Sequence, residues 1–312
     1  MICTIEWNGL DRIGWERKFL TLRRSTLLQS YDYARAVAPL YGQRPRWGLI
    51  FIDGREAGLV QILEAGFLGL HAFTLDRGPL WFDGFGGVAH LKAFFDALNR
   101  IFPARFGRKR RIIPEIPDSP AASGILKQCG LRYHGPKYTT AWLDLTQDPE
   151  SLRAGMKNNW RSHLNKVEQN ALVLDWSEPL QSLPFLAEAY RLDRVERGYG
   201  GPDAKMVRAL GQQAGQSGNL LIGRALLNGR DVAAIMILCH GRSATYQIGW
   251  GDEDGRKYGG HYRLLWAALG VMKEKGIRDF DLGGINDDQA AGVSAFKDGL
   301  GGQRVTLAGL YT

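Results

Sequence analysis

Gly259 and Gly260 stand immediately before the apolar-periodic stretch HYRLLWAALGVMKEKG (261–276), three residues behind Arg256. A glycine pair at a helix start leaves backbone N–H groups open to an anion at the positive end of the helix dipole, and an arginine beside it adds charge. A second concentration of positive charge lies in DPESLRAGMKNNWRSHLNKVEQN (148–170). There Arg153, Lys157 and Arg161, with Lys166 beyond them, suit either a phosphate-rich partner or a solvated helix face. Other chemistries are poorly represented. His71, His90, His134, His163, His240 and His261 are isolated and form no HxxxH or HExxH pair, so no metal site is expected. There is no GxSxG nucleophile turn, and GFGG (84–87) opens no GK[ST] phosphate loop and reads as a turn. Cys3, Cys129 and Cys239 lack CxxC spacing, which fits inert thiols better than a disulfide framework.

The elements that must position these residues come in a repeated order. IFIDGREAGLVQIL (50–63) aligns with ALLNGRDVAAIMIL (225–238), each an apolar run, a two-residue turn signal (Asp53-Gly54, Asn228-Gly229) and a second apolar run. Such dipeptides supply the positive φ of a type I′ turn, so both segments read as hairpins. Each is followed by further strand and an amphipathic helix, 88–102 in the first half and 261–276 in the second. The duplication predicts two similar α/β units, 1–147 and 148–312. Between them, Leu152, Met156, Trp160, Leu164 and Val167 recur at helical spacing and predict one helix across 148–170 with its basic row beside the apolar face. GRKRR (107–111) leads into the strand-like IIPEIP, and AASGILKQCG (121–130) reads as a helix ending on Gly130.

A chain of 312 residues, 45% hydrophobic and 11% aromatic, has ample material for one large or two smaller cores. Its formal charge of +8 favours an anionic partner without naming one. No run of eighteen apolar residues occurs and the N-terminus mixes charged with apolar residues, so neither a membrane span nor a signal peptide is read, and a cytoplasmic location is expected.

Several segments carry a family resemblance. Arg256-x-x-Gly259 fits the start of the Arg/Gln-x-x-Gly-x-Gly/Ala loop with which GNAT enzymes hold the coenzyme A pyrophosphate, although His261 stands where the pattern ends in Gly or Ala. FDLGGIN (280–286) followed by SAFKDGLGG (294–302) resembles the C-terminal signature of the FemABX aminoacyltransferases. LLQSYDYA (27–34), DRGP (76–79) and MKNNWRSHLNKVEQN (156–170) resemble further FemABX segments in the family's order.

The resemblance implies an α/β (α+β) fold of two GNAT-like domains, each a mixed sheet flanked by helices, without the long helical hairpin of some members. It places Phe296 and Lys297 at the transfer site, where an ammonium in a partly dry cleft suits the oxyanion formed as an amine attacks an aminoacyl ester. It also implies aminoacyl-tRNA as donor, with the basic row Arg153, Lys157, Arg161 and Lys166 toward the tRNA, and no cofactor, DNA or metal. In muropeptide-handling members a lysine and a tyrosine stand where this chain has Val37 and Gln247. A small peptide, amino acid or metabolite amine is therefore as ready an acceptor as a muropeptide, with Tyr33, Arg35, Tyr246, Gln247 and Trp250 as candidate lining residues. No clear base is nominated: Asp281 and Asp298 are near in sequence, Asp281 either lines the substrate site or bonds only backbone, and substrate-assisted proton transfer stays open. Two alternatives stay open: an acyl-CoA-dependent N-acyltransferase using Arg256, Gly259 and Gly260, and a binding module of the same fold without turnover.

Overall fold

The structure, a computed structural model, describes residues 1–288 and 290–312. It contains two compact units, residues 1–139 with 305–312, and residues 140–304.

The first unit opens with β1 (Cys3–Trp7), α1 (Arg12–Phe19) and α2 (Tyr31–Val37). β2 (Arg44–Ile52) and β3 (Arg55–Phe67) form the first expected hairpin, with Asp53 and Gly54 at φ of 48° and 79° as a type I′ turn requires. β4 (Leu70–Gly78), β5 (Leu80–Trp81), α3 (Val88–Ile101), β6 (Arg108–Pro114), α4 (Pro120–Gln128) and β7 (Tyr133–Gly135) complete it. α3 buries Leu91, Phe94, Phe95 and Leu98 against the sheet, the face its periodicity predicts.

Gln29, inside the LLQS segment, has a structural task. Its side-chain amide donates to the carbonyls of Gln61 (3.1 Å) and Asp76 (2.8 Å), and its oxygen accepts from Gln61 N–H (2.7 Å). It thus ties the chain before α2 to β3 and to the DRGP turn. Gln29→Ala strands buried backbone groups at both ends, so chemical denaturation should show a loss of about 2–4 kcal/mol at unchanged slope. A loss under about 1 kcal/mol would show that water replaces the amide.

The second unit contains β8 (Thr139–Asp144), α5 (Pro149–Gly155), α6 (Asn158–Val167), β9 (Val173–Asp175), α7 (Pro179–Arg197) and α8 (Ala204–Gln216). These are followed by the second hairpin, β10 (Leu220–Leu227) and β11 (Arg230–His240), turning at Asn228 and Gly229. β12 (Ser243–Gly251), α9 (Glu253–Lys257), α10 (Gly260–Glu274), β13 (Asp279–Ile285), α11 (Ala291–Gly299) and β14 (Gln303–Thr306) follow. The sheet order is β14-β8-β13-β12-β11-β10-β9, and β12 and β13 run parallel within it. One core cluster joins this sheet to α6 and α10.

Two expectations are corrected. The single helix across 148–170 is broken: Met156 and Lys157 are extended, with ψ of 145° each. The glycine-rich turn after α11 is inserted there. Lys157 N–H donates to the Gly299 carbonyl (3.0 Å), a Cβ on Gly299 would collide with the Trp160 ring, and one on Gly301 would lie 2.9 Å from the Gly155 carbonyl carbon. The five apolar residues are nevertheless all buried, because each short helix keeps its own face inward.

Residues 305–312, counted with the second half although the sequence leaves open whether they return to the first, pack with the first unit. There β15 (Leu310–Tyr311) lies between β6 and β7, pairing Tyr311 with Ile112 and Leu310 with Gly135. A two-residue strand whose Tyr311 ring packs on Tyr133 (5.7 Å) leaves no periodic trace in sequence.

Candidate active site

β12 and β13 pair only from Ser243 opposite Asp279 to Thr245 opposite Asp281, although both strands continue beyond. They part after Asp281, within FDLGGIN. Gly283 takes φ +73° there, and a Cβ on it would lie 2.9 Å from the Tyr246 carbonyl oxygen and 3.5 Å from Lys297 Nζ. Asp281 is buried and accepts from Thr140 Oγ1 and from Gly283 N–H (2.8 Å), fixing the turn of the chain at the parting.

α11 sends Lys297 into this place. Its ammonium donates to the Gly284 carbonyl (2.8 Å) and stands 5.7 Å from the centre of the Tyr246 ring. Only 9% of the residue is exposed. Burial pulls its pKa down to about 8, against the opposing pull of Asp281. Phe296 packs edge-on to Tyr262 (4.9 Å) and near Trp160 (5.9 Å), so the neighbour of Lys297 anchors α11 to α6 and α10. Burial pushes the Tyr246 phenol well above its ordinary range.

Gln247 occupies a β-bulge: Met236 faces Ile248 while Ile237 faces Tyr246, leaving Gln247 as the extra residue. Bulges of this kind re-aim side chains beside sites, yet period-two sequence reasoning cannot find them. Trp250 packs edge-on to Phe185 (5.3 Å) and lines a shallow cavity of about 320 Å³ with Asp193, Glu196 and Arg256. Tyr33 and Arg35 belong to α2 of the first unit. Tyr33 is half-buried there, its phenol pushed upward by burial and by the nearby Asp76 carboxylate, and Arg35 is exposed.

The glycine pair before α10 has packing reasons for its composition. Gly259 takes φ +66°, and a Cβ on Gly260 would lie 2.8 Å from the Ala233 Cβ. Arg256 donates to the Gly251 carbonyl. The basic row is also redistributed by the helix break. Arg153 donates to Glu168 (2.6 Å) and Asn165 (2.6 Å) and lies over the Trp266 ring, so it is engaged within its own unit. Arg161 donates to Asn158 (2.8 Å), whereas Lys157 and Lys166 are exposed. The three cysteines are buried, and burial pushes each thiol up to about 11.

Sequence reasoning passed over His261 as a mere departure from the loop pattern. Its imidazole lies along β12 beside Gly249 and Gly251, and edge-on to Phe296 (6.4 Å). Thr140, which holds Asp281, gave no signal at all.

Residues 154–298 match the acetyltransferase (GNAT) domain family. No curated protein matches the chain in sequence. Among solved structures, FemX superposes over 98% of this chain and 96% of its own, with TM-score 0.81 and 15% identity. A conserved protein of unknown function from Bacteroides thetaiotaomicron superposes over 99% and 98% with TM-score 0.66 and 13% identity. A tandem GNAT protein from the clavulanic acid biosynthesis pathway does so over 99% and 98% with TM-score 0.54 and 14% identity. Among the described residues, no helix is long and apolar enough to cross a membrane. At these identities the structural likeness speaks for the fold alone: the chain has the fold of FemX, a tandem GNAT-like α/β architecture, and its residues 154–298 match the acetyltransferase (GNAT) domain family.

Proposed function

We propose that this protein is a cytoplasmic acyltransferase that moves the aminoacyl group of aminoacyl-tRNA onto an amine. The observation that carries the reading is the Lys297 ammonium, drawn out of water and held by the Gly284 carbonyl where β12 and β13 part. An amine nitrogen attacking the ester carbonyl forms a C–N bond and moves the carbonyl electron pair onto oxygen. A cation fixed in a low-dielectric place stabilises that charge as it develops. Collapse of the intermediate breaks the ester C–O bond and frees the ribose oxygen of the tRNA. The ester is already activated, so holding the reactants in register supplies most of the remaining acceleration.

A tRNA donor is favoured over acyl-CoA by two features. His261 replaces the final small residue of the pyrophosphate loop, and exposed Lys157 and Lys166 lie on or beside α6. The acceptor is a small peptide, amino acid or other amine.

Pooled radiolabelled aminoacyl-tRNAs and, separately, labelled acetyl-CoA, each incubated with a metabolite extract as acceptor, test the choice. Label is expected to move into base-stable amide from the aminoacyl-tRNA pool. Transfer from acetyl-CoA alone would overturn the tRNA reading, and transfer from neither would leave the fold without this activity.

A further inference from the structure

We propose that His261 is the proton acceptor for the attacking amine, set beside the Tyr246 hydroxyl over Gly249 on β12. This rests on the aminoacyl-transfer reading of the same site and supplies the base that reading lacks.

The placement is built by three elements of the second unit. His261 lies in the first turn of α10, and its ring occupies space that β12 leaves empty at two alternate positions. A Cβ on Gly249 would stand 2.9 Å from His261 Nε2, and one on Gly251 would stand 2.9 Å from its Cε1. The same Cβ on Gly249 would collide with the Tyr246 hydroxyl oxygen, so hydroxyl and imidazole converge on one point. Both residues are partly exposed. From α11, Phe296 meets the imidazole edge-on, and Lys297, the next residue, reaches the Tyr246 ring from the parted strands.

The charged groups facing the ring are Arg256 of α9 and Asp193 of α7. Burial, aided by Arg256 and opposed by Asp193, takes the His261 pKa down to about 4. The imidazole is therefore neutral at working pH and has a lone pair to offer. An amine nitrogen becomes several pKa units more acidic than the free ammonium once it has bonded to the carbonyl carbon, and at that moment a neutral imidazole can take its proton as the ribose oxygen departs. The step balances: the nitrogen pair forms C–N, the carbonyl pair moves to the oxygen at Lys297, and one N–H proton passes to Nε2. The C–O pair then leaves with the ribose oxygen, which receives that proton, giving amide and deacylated tRNA.

His261→Gln keeps size and polarity but not basicity, and His261→Ala restores the small residue of the loop pattern. With the donor and acceptor found above, both should lower kcat by about 10²-fold with little change in the amine KM, since positioned acid–base groups contribute at least this much. Added imidazole should restore part of the rate to His261→Ala and none to Lys297→Ala. Thermal melting verifies that each variant is folded. If wild type transfers and Lys297→Ala is impaired while both His261 variants keep kcat within threefold, this proposal alone falls. A kcat loss that imidazole does not relieve, joined by an equal rise in KM, makes His261 a packing residue and also overturns it. If wild type transfers from neither donor, the functional reading falls and takes this step with it.

Discussion

Lys297→Met is expected to lower transfer by about 10²–10³-fold, the typical cost of one oxyanion-stabilising group, while leaving the protein at least as stable as before. The two effects have one cause. The lysine pKa falls from 10.5 in the unfolded chain to about 8 in the folded one. The folded state therefore binds fewer protons than the unfolded state between these values, and stability rises with pH across that window. Below pH 8 the full cost of burying the ammonium is present, about 3 kcal/mol at 1.36 kcal/mol per pKa unit. Methionine removes that cost and fills similar space, and losing the donor to the Gly284 carbonyl returns about 1–3 kcal/mol of it. Calorimetry at pH 7 should thus give a melting temperature equal to or above wild type, with wild type gaining on the variant toward pH 10. The ammonium is also the form that catalyses, so wild-type turnover should fall as pH rises through about 8. A variant that melts several degrees lower at pH 7 would contradict the buried-charge account. Wild-type turnover in the variant would remove Lys297 from the chemistry.

Reversal of Lys157, Arg161 and Lys166 together to Glu should weaken aminoacyl-tRNA binding by orders of magnitude at low salt. It should also flatten the dependence of log affinity on log salt by about one unit for each phosphate that is no longer neutralised. The acceptor KM should hardly move. Arg153→Ala is the internal control: its guanidinium is already held by Glu168 and Asn165, so the tRNA salt slope should stay at the wild-type value. Filter binding between low and moderate salt measures both. A triple variant with an unchanged slope would return α6 to the role of a solvated face.

The hairpins were readable because their signal is local. Asp53-Gly54 and Asn228-Gly229 demand left-handed backbone, and the apolar runs on either side mark the strands whatever lies around them. The long helix was misread for the opposite reason. Its apolar spacing survives intact across Met156 and Lys157, but the break is imposed by Gly299 and Gly301, more than a hundred residues away in sequence. In the candidate site, the Phe-Lys and Asp-x-Gly-Gly segments could be found by resemblance. The convergence of Tyr246 and His261 could not, because it depends on a bulge at Gln247 and on side-chain space left by Gly249 and Gly251. A histidine that breaks a loop pattern reads as a defect until the strand beneath it is seen.

The return of residues 305–312 to the first unit sets an order of events during synthesis. β15 fills the place between β6 and β7, so the sheet of the first unit stays interrupted until residues 310 and 311 have left the ribosome. The second unit, residues 140–304, is synthesised before those residues. The unit that starts first thus receives its last strand only after the whole of the second unit has been synthesised. Until β15 is in place, the edges of β6 and β7 that it covers are unpaired, and an unpaired strand edge is a template for pairing with another chain.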